Sequence, residues 1–344
     1  MRPSRSLFLC AALCCLTSAS FGQDVPGLFR DGLENEFHFT AADIAKIQSG
    51  QPVARLVATG KPDDVRMAGI VLIRTTPEVY IAALRDIEHF RMSKEVIHMH
   101  RFSSPPVESD LIEFPLPDFT KSELLACRPG HCSIKMPAEE MEILRKGIDW
   151  NAPDATERAA PLIRQRIVAY IYRYLREGDS ALAVYYDTPA PYSVAEGLHS
   201  LIGNETHIAQ SMPELIRFAS EFPARRPAGT EDFLYWQEAA FGLKHVLRTQ
   251  HVLIQKLPEG RYAIISKMLF ATHYFRAAIE YSYIYPVRTP SGEPAIYVAT
   301  SQRSYVDGMT GVKGAIIHRV AESRSPATLA NNLRLAKEFL EHRR

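Results

Sequence analysis

The chain has 344 residues, of which 46% are apolar and 23% charged, with 40 Lys and Arg set against 39 Asp and Glu. A balance this even gives no global electrostatic case for nucleic acid or an anionic surface as partner. The apolar share supplies a substantial core, and the length suits one elaborated domain or two; no repeat, low-complexity tract or long charge block divides the chain.

Residues 1–22 read as a secretory signal peptide. Arg2 and Arg5 make the start positive, and Leu7 to Leu16 form an apolar run too short to cross a hydrocarbon layer of about 30 Å. Small residues follow at Ser18, Ala19, Ser20 and Gly22, so cleavage is expected near Gly22 and the mature protein is expected to be secreted or periplasmic. Cys14 and Cys15 lie inside the apolar run, an unusually early place for a lipoprotein cut. Cleavage removes Arg2, Arg5 and no acidic residue, taking the formal net charge from +1 to −1. It also removes Cys10, Cys14 and Cys15.

Residues 23–61 read as a peripheral segment with one short helix, capped by Thr40 and running to Ile47. From 62 to 117 the texture is that of a core. Val65 to Ile73 predicts a strand, and Thr76-Pro77-Glu78 predicts a helix start: threonine caps, proline takes the first position and glutamate meets the positive end. Tyr80, Ala83, Leu84, Ile87 and Phe90 recur at helical spacing as its buried face. Val96 to Phe102 and Leu111 to Phe114 read as two short strands. On the first, His98 and His100 share one face, but a metal site would need a third ligand from elsewhere.

Residues 118–240 are predominantly helical in period. The clearest helix covers Leu162 to Leu175; others are expected over Pro137 to Lys146, Val194 to Leu201, Met212 to Ser220 and Glu231 to Leu243. Cys127 and Cys132 flank Arg128-Pro129-Gly130-His131, a turn sequence that can bring the sulfurs together as a small structural disulfide. Redox catalysis would favour a closer spacing, and zinc would need further ligands.

Residues 241–344 give four longer strands in succession, Lys244 to Lys256, Arg261 to Phe270, Phe275 to Tyr285 and Ala295 to Tyr305. The turns between them are short, which favours an antiparallel meander. Two helices follow, Gly311 to Val320 and one from Ser325, the latter with Leu329, Leu333, Ala336 and Leu340 on one stripe.

The fold class expected is therefore α+β: an antiparallel sheet of about seven strands gripping a long carboxy-terminal helix, with a mostly helical insert at 118–240 between core pieces 62–117 and 241–344. Gly69-Ile70-Val71-Leu72-Ile73, then Thr76-Pro77-Glu78-Val79-Tyr80, Leu84-Arg85-Asp86 and Phe90, resemble the first strand and helix of the START-like, or Bet v 1-like, helix-grip superfamily. The likeness is one of pattern, without a diagnostic motif. A family member has no insert of this size, and its first strand leads into two short helices where only one is clear here. The resemblance implies binding or transfer of lipids, sterols or other hydrophobic molecules, though related folds also include enzymes.

The strands are rich in large aromatics, and tyrosine can join an apolar wall to a hydroxyl that orients a ligand. Tyr274, Tyr281, Tyr283 and Tyr297, with Arg303 beside Asp307 at the end of the last strand, are the candidate ligand residues; the same rings would serve equally as core. His98, His100, Lys267 and His273 are the candidate catalytic groups. Strand alternation sets Ser266 and Lys267 on opposite faces, against a Ser-Lys pair, and no GxSxG, GxGxxG or Walker pattern occurs. The expected partner is a hydrophobic small molecule. No metal, cofactor or nucleic acid is expected, there is no strong signal for a protein partner, and peripheral contact with a membrane surface is compatible with the reading. The alternatives are an enzyme of the same fold acting on a hydrophobic substrate and an envelope protein with a solid core.

Overall fold

The computed structural model describes residues 25–90, 95–114, 121–203, 207–241, 244–307 and 311–342; the expected signal peptide, 1–22, lies outside them. Short helices α1 (Gly27–Asp31) and α2 (Ala41–Gln48) precede strands β1 (Val53–Val57) and β2 (Asp64–Ile73). Helices α3 (Pro77–Arg85) and α4 (Ile87–Phe90) lead to β3 (Val96–Arg101). The insert then holds α5 (Lys121–Ala126), α6 (Ala138–Gly147), α7 (Ala155–Glu177), the two-residue strands β4 (Val184–Tyr185) and β5 (Tyr192–Ser193), α8 (Val194–Gly203), α9 (His207–Gln210) and α10 (Pro213–Glu221). Last come β6 (Thr230–Phe241), β7 (Lys244–Lys256), β8 (Tyr262–Ala271), β9 (Phe275–Arg288), β10 (Pro294–Val306) and α11 (Gly311–Glu341).

Eight strands form one sheet in the order β1-β2-β10-β9-β8-β7-β6-β3, antiparallel throughout. Without β1 this is the helix-grip arrangement, in which the first strand lies beside the last and the second closes the far edge. The helical stripe from Tyr80 to Phe90 makes both short helices of that fold: the chain leaves helical geometry at Asp86, and α4 follows. At the start of α3 the Thr76 side chain accepts from the Val79 amide at 3.4 Å and Pro77 occupies the first turn, as the sequence implies.

Three elements differ from the sequence reading. Residues 231–241 are a strand and not a helix. Phe233 and Tyr235 pack on one face of the sheet while Leu234 and Trp236 pack on the other, so the run shows no polar alternation, and its aromatic content is the better guide. Residues 111–114 are not a strand. The Asp110 carboxylate accepts from the Ser103 amide, the Ser103 hydroxyl and the Val107 amide, which folds the segment into a compact turn. The two carboxy-terminal helices are one, with Pro326 inside α11; a proline removes one backbone donor from a long helix without ending it.

Both faces of the sheet are covered. On one face Val71, Ile73, Ile284, Ile296 and Val298 pack against Tyr80, Leu84 and Phe90 from α3 and α4 and against Leu329, Leu333 and Leu340 of α11. A Cβ at Gly69 would lie 2.8 Å from Leu333 Cδ1 and 3.2 Å from Leu329 Cγ, so glycine there lets α11 approach β2 closely. On the reverse face Ala68, Ile70, Ile265 and Ile279 share one apolar cluster with Phe29 and Phe37 of the amino-terminal segment and with Ile171, Leu198 and Phe218 of the insert. Each large side chain sequestered in this way contributes roughly 1.5–3 kcal/mol of hydrophobic stabilisation. The insert thus lies on the side of the sheet away from the gripped helix.

Candidate functional site

The α11 side of the sheet carries polar residues where strand alternation alone would suggest solvent. Glu280 and Ser282 on β9 face the same way as Ser266 on β8, Gln250 on β7, and Thr300 and Gln302 on β10. Register places Glu280 between Ser266 and Gln302, and Ser282 between Ile264 and Thr300. Ser266, Gln250, Ser282 and Thr300 are all no more than 8% exposed, while Glu280 and Gln302 are half-buried. Several bonds join its members: Gln302 Nε2 donates to Glu280 Oε2 at 2.8 Å, Ser282 Oγ to Thr300 Oγ1 at 3.1 Å, and Ser266 Oγ to Gln250 Oε1 at 3.3 Å. Val298, Ile284, Ile264 and Ile254 of the same face border it. An apolar floor with a few convergent polar groups is the usual composition of a small-molecule site. The sequence signal was the recurrence of polar residues at alternate positions in β9 and β10, which reads as a wet face.

The tyrosines proposed from sequence lie on the other side. Tyr281, Tyr283 and Tyr297 are buried in the cluster shared with the insert and the amino-terminal segment. Phe29 meets Tyr283 edge-on with ring centroids 5.6 Å apart, and burial pushes the Tyr283 phenol above its ordinary range. Tyr274 stands in the turn after β8 with φ 60°, its hydroxyl accepting from the Lys244 amide at 2.9 Å. Arg303 makes a two-pronged pair with Asp64, at 2.9 and 2.6 Å, in which Asp64 is buried. It does not pair with Asp307, which is held by Lys135 of the insert and by Arg276 at 3.3 Å. Burial raises the Asp307 carboxyl pKa against the opposing pull of Lys135.

Three of the four candidate catalytic groups, His98, His100 and Lys267, have separate partners. His98 Nδ1 meets Glu238 at 2.7 Å, a carboxylate that also holds His245 Nδ1 at 2.7 Å. His100 Nδ1 lies 3.0 Å from Glu88. His273 is buried in the turn between β8 and β9. Lys267 sits three strands from β3, about 14 Å at the usual strand spacing, and is fully buried beneath the insert. Its ammonium donates to Asp179 Oδ1 and to the Ala219 carbonyl, both at 2.5 Å. Beside it Tyr174 Oη contacts His251 Nδ1 at 2.8 Å, and His251 Nε2 contacts Asp232 at 3.0 Å. Burial lowers the pKa of both Lys267 and His251, with Asp179 and Asp232 opposing, and burial raises that of Tyr174. This chain of polar groups joins α7, α10 and the loop after α7 to β6, β7 and β8. With Lys267 and His251 at 0% exposure, it holds the insert to the sheet and offers no face to a substrate.

The expected disulfide is present between Cys127 and Cys132. Its loop docks on the strand after α7, where the Gly130 amide donates to the Tyr186 carbonyl at 2.7 Å and the Cys132 amide to that of Asp187 at 3.1 Å. Among the described residues no group of three or more His, Cys, Asp or Glu is disposed to hold a metal ion, and no helix is long and apolar enough to cross a membrane.

No protein-family model matches the chain, and no curated protein does. Solved structures are similar over part of it. The crystal structure of Ara h 8.0201 has 10% identity and a TM-score of 0.17, covering 39% of this chain and 85% of that one. An uncharacterized protein from Rhizobium leguminosarum has 14% identity and a TM-score of 0.17, covering 42% and 86%. The fold resembles the helix-grip fold in part. That statement rests on the strand order, the paired short helices and the terminal helix; the helix-grip portion is the gripped side of the sheet, and the insert adds a second layer behind it.

Proposed function

We propose that the protein is an exported binding or carrier protein for a hydrophobic small molecule of lipid or sterol type, held between α11 and the sheet. The observation that carries this reading is the polar group of buried Ser282 and Thr300 with half-buried Glu280 and Gln302, set in an aliphatic floor on the gripped face. A core built for stability alone has little use for such residues, since burying a polar group without full compensation costs free energy. A ligand that supplies both hydrogen bonds and apolar surface accounts for both halves of the composition. Export follows from the leader read in residues 1–22 and would bring the protein into contact with molecules of the cell envelope or its surroundings. The separate partners of His98, His100 and Lys267 give the enzyme reading no shared constellation among these three.

Native mass spectrometry of gently purified protein tests the reading. The expected result is a mass excess that is lost on organic extraction and restored by lipid or sterol. A bare mass, with no uptake of lipid, sterol or a neutral dye, would overturn it. Export is tested separately, by the amino-terminal residue of protein recovered from the periplasm or medium, expected near Gln23.

A further inference from the structure

We propose that His98 and His245 form a surface site for a borderline divalent cation of the Zn²⁺ class, with the Glu238 carboxylate holding both rings from behind. The site stands apart from the ligand reading of the gripped face, because these residues continue the face of Leu234, Trp236 and Leu247 that turns toward the insert. They come from three neighbouring strands at one end of the sheet order, His98 from β3, Glu238 from β6 and His245 from β7. The spacing of His98 and His100 along one strand gives no hint of the other members. In β3 the pairing with β6 slips after Val96, which faces Ala239, so that His98 and not Ile97 faces Glu238. Such a bulge re-aims a side chain at a sheet edge. His245 arrives from the other flank, where it faces Ala240, two residues along from Glu238 and on the same side.

Both rings end on one carboxylate. His98 Nδ1 lies 2.7 Å from Glu238 Oε2, and His245 Nδ1 lies 2.7 Å from Oε1. An ionised carboxylate only accepts, so each neutral ring donates through Nδ1 and keeps its lone pair on Nε2. Glu238 is buried, while both imidazoles are about half-exposed. A carboxylate on one ring nitrogen that leaves the other basic is how outer groups orient ligating histidines. The charge balance points the same way. Among the described residues, buried Asp43, Asp64 and Asp179 each pair with an arginine or lysine, and buried Asp110 accepts from backbone amides. Glu238 is held by the two imidazoles instead, and neutral rings bring no charge to offset its own. A dication on their Nε2 atoms supplies it. Imidazole suits Zn²⁺, Ni²⁺ and Cu²⁺ and not Mg²⁺. With two ligands from the chain, water completes the shell, in keeping with the absence among the described residues of any group of three.

Calorimetric titration of the full chain with Zn²⁺ tests this, with Mg²⁺ as the control. Zn²⁺ binding is expected to depend on the pair: His98→Ala, His245→Ala and Glu238→Gln should each weaken it by about tenfold or more, and His100→Ala should leave it within about twofold. In the unmodified protein Zn²⁺ should also shield His98 and His245, but not His100, from diethyl pyrocarbonate, read by mass spectrometry. That second readout decides the matter if a variant fails to fold. Undiminished Zn²⁺ binding in His98→Ala or His245→Ala, or an equal loss in His100→Ala, would overturn the proposal. So would absence of Zn²⁺ binding in the unmodified protein, and protonation of both rings together would then assign the missing charge to a proton. None of these results touches the uptake of lipid or sterol, so failure here and failure of the binding function are read apart.

Discussion

Lys267 of β8 and Asp179 of the insert form an ion pair at 2.5 Å in which Lys267 is fully buried and Asp179 is 7% exposed. Removing one partner leaves the other charge buried and unmatched, the costliest way to break such a pair. Asp179→Ala is therefore expected to destabilise the protein by about 3–5 kcal/mol in urea unfolding. Lys267→Met combined with Asp179→Leu, which withdraws both charges and keeps the volume, should cost much less. Equal losses in the two variants would show that packing, and not charge, ties the insert down.

His251 sets an acid limit on stability. Burial lowers its pKa below the ordinary 6.5, so as pH falls through that value the unfolded chain takes up a proton that the folded chain declines. Stability is fully present above about pH 6.5 and is lost as pH falls toward the folded-state pKa, with a slope of up to about 1.4 kcal/mol per pH unit. Asp232, which burial would raise but the His251 contact and Arg226 hold below its ordinary 3.8, adds a further loss at lower pH. Melting temperature measured between pH 8 and 5 should fall in the unmodified protein and fall less steeply in His251→Gln.

Gly69 tests the seating of α11. A valine there would collide with Leu333 and Leu329, which lie 2.8 and 3.2 Å from its Cβ position. The two leucines can shift only partly, so Gly69→Val should cost about 1–3 kcal/mol. Leu333→Ala in the same chain should return part of that, as a smaller penalty in the double variant than the two single penalties add to.

The disulfide is expected to matter modestly. Cys127 and Cys132 are separated by five positions, and the entropy withdrawn from so short a loop corresponds to about 2 kcal/mol. Cys127→Ser with Cys132→Ser should lower stability by no more than that and leave the far-ultraviolet circular dichroism unchanged. Loss of folding would place a much larger share of the insert's stability on this loop.

Much of the fold was legible because its signals are local. Thr76-Pro77-Glu78 marks a helix start by itself, and the short turns between Lys244 and Tyr305 leave little but a meander. Residues 231–241 were misread because apolar side chains occupy both faces of β6, which erases the period that separates strand from helix. The candidate site was harder. Tyr281 and Ser282 are neighbours in sequence, and alternation says that they face apart but not which side carries the terminal helix and which carries the insert. The side that Tyr281, Tyr283 and Tyr297 take is set by contacts with Phe29 and the insert, which are remote in the chain.

Because the insert lies behind the sheet, the two surfaces of each central strand answer to different demands. Even-numbered positions of β9 such as Ile284 face the side of α11, while odd-numbered ones such as Tyr281 are tied to the amino-terminal segment and the insert. A second hydrophobic layer of this kind works as ballast: it lets the gripped side accept residues as awkward as Glu280 without endangering the whole. Variation among natural relatives, or in a library built on this scaffold, should accordingly fall in an every-other-residue stripe along β8, β9 and β10.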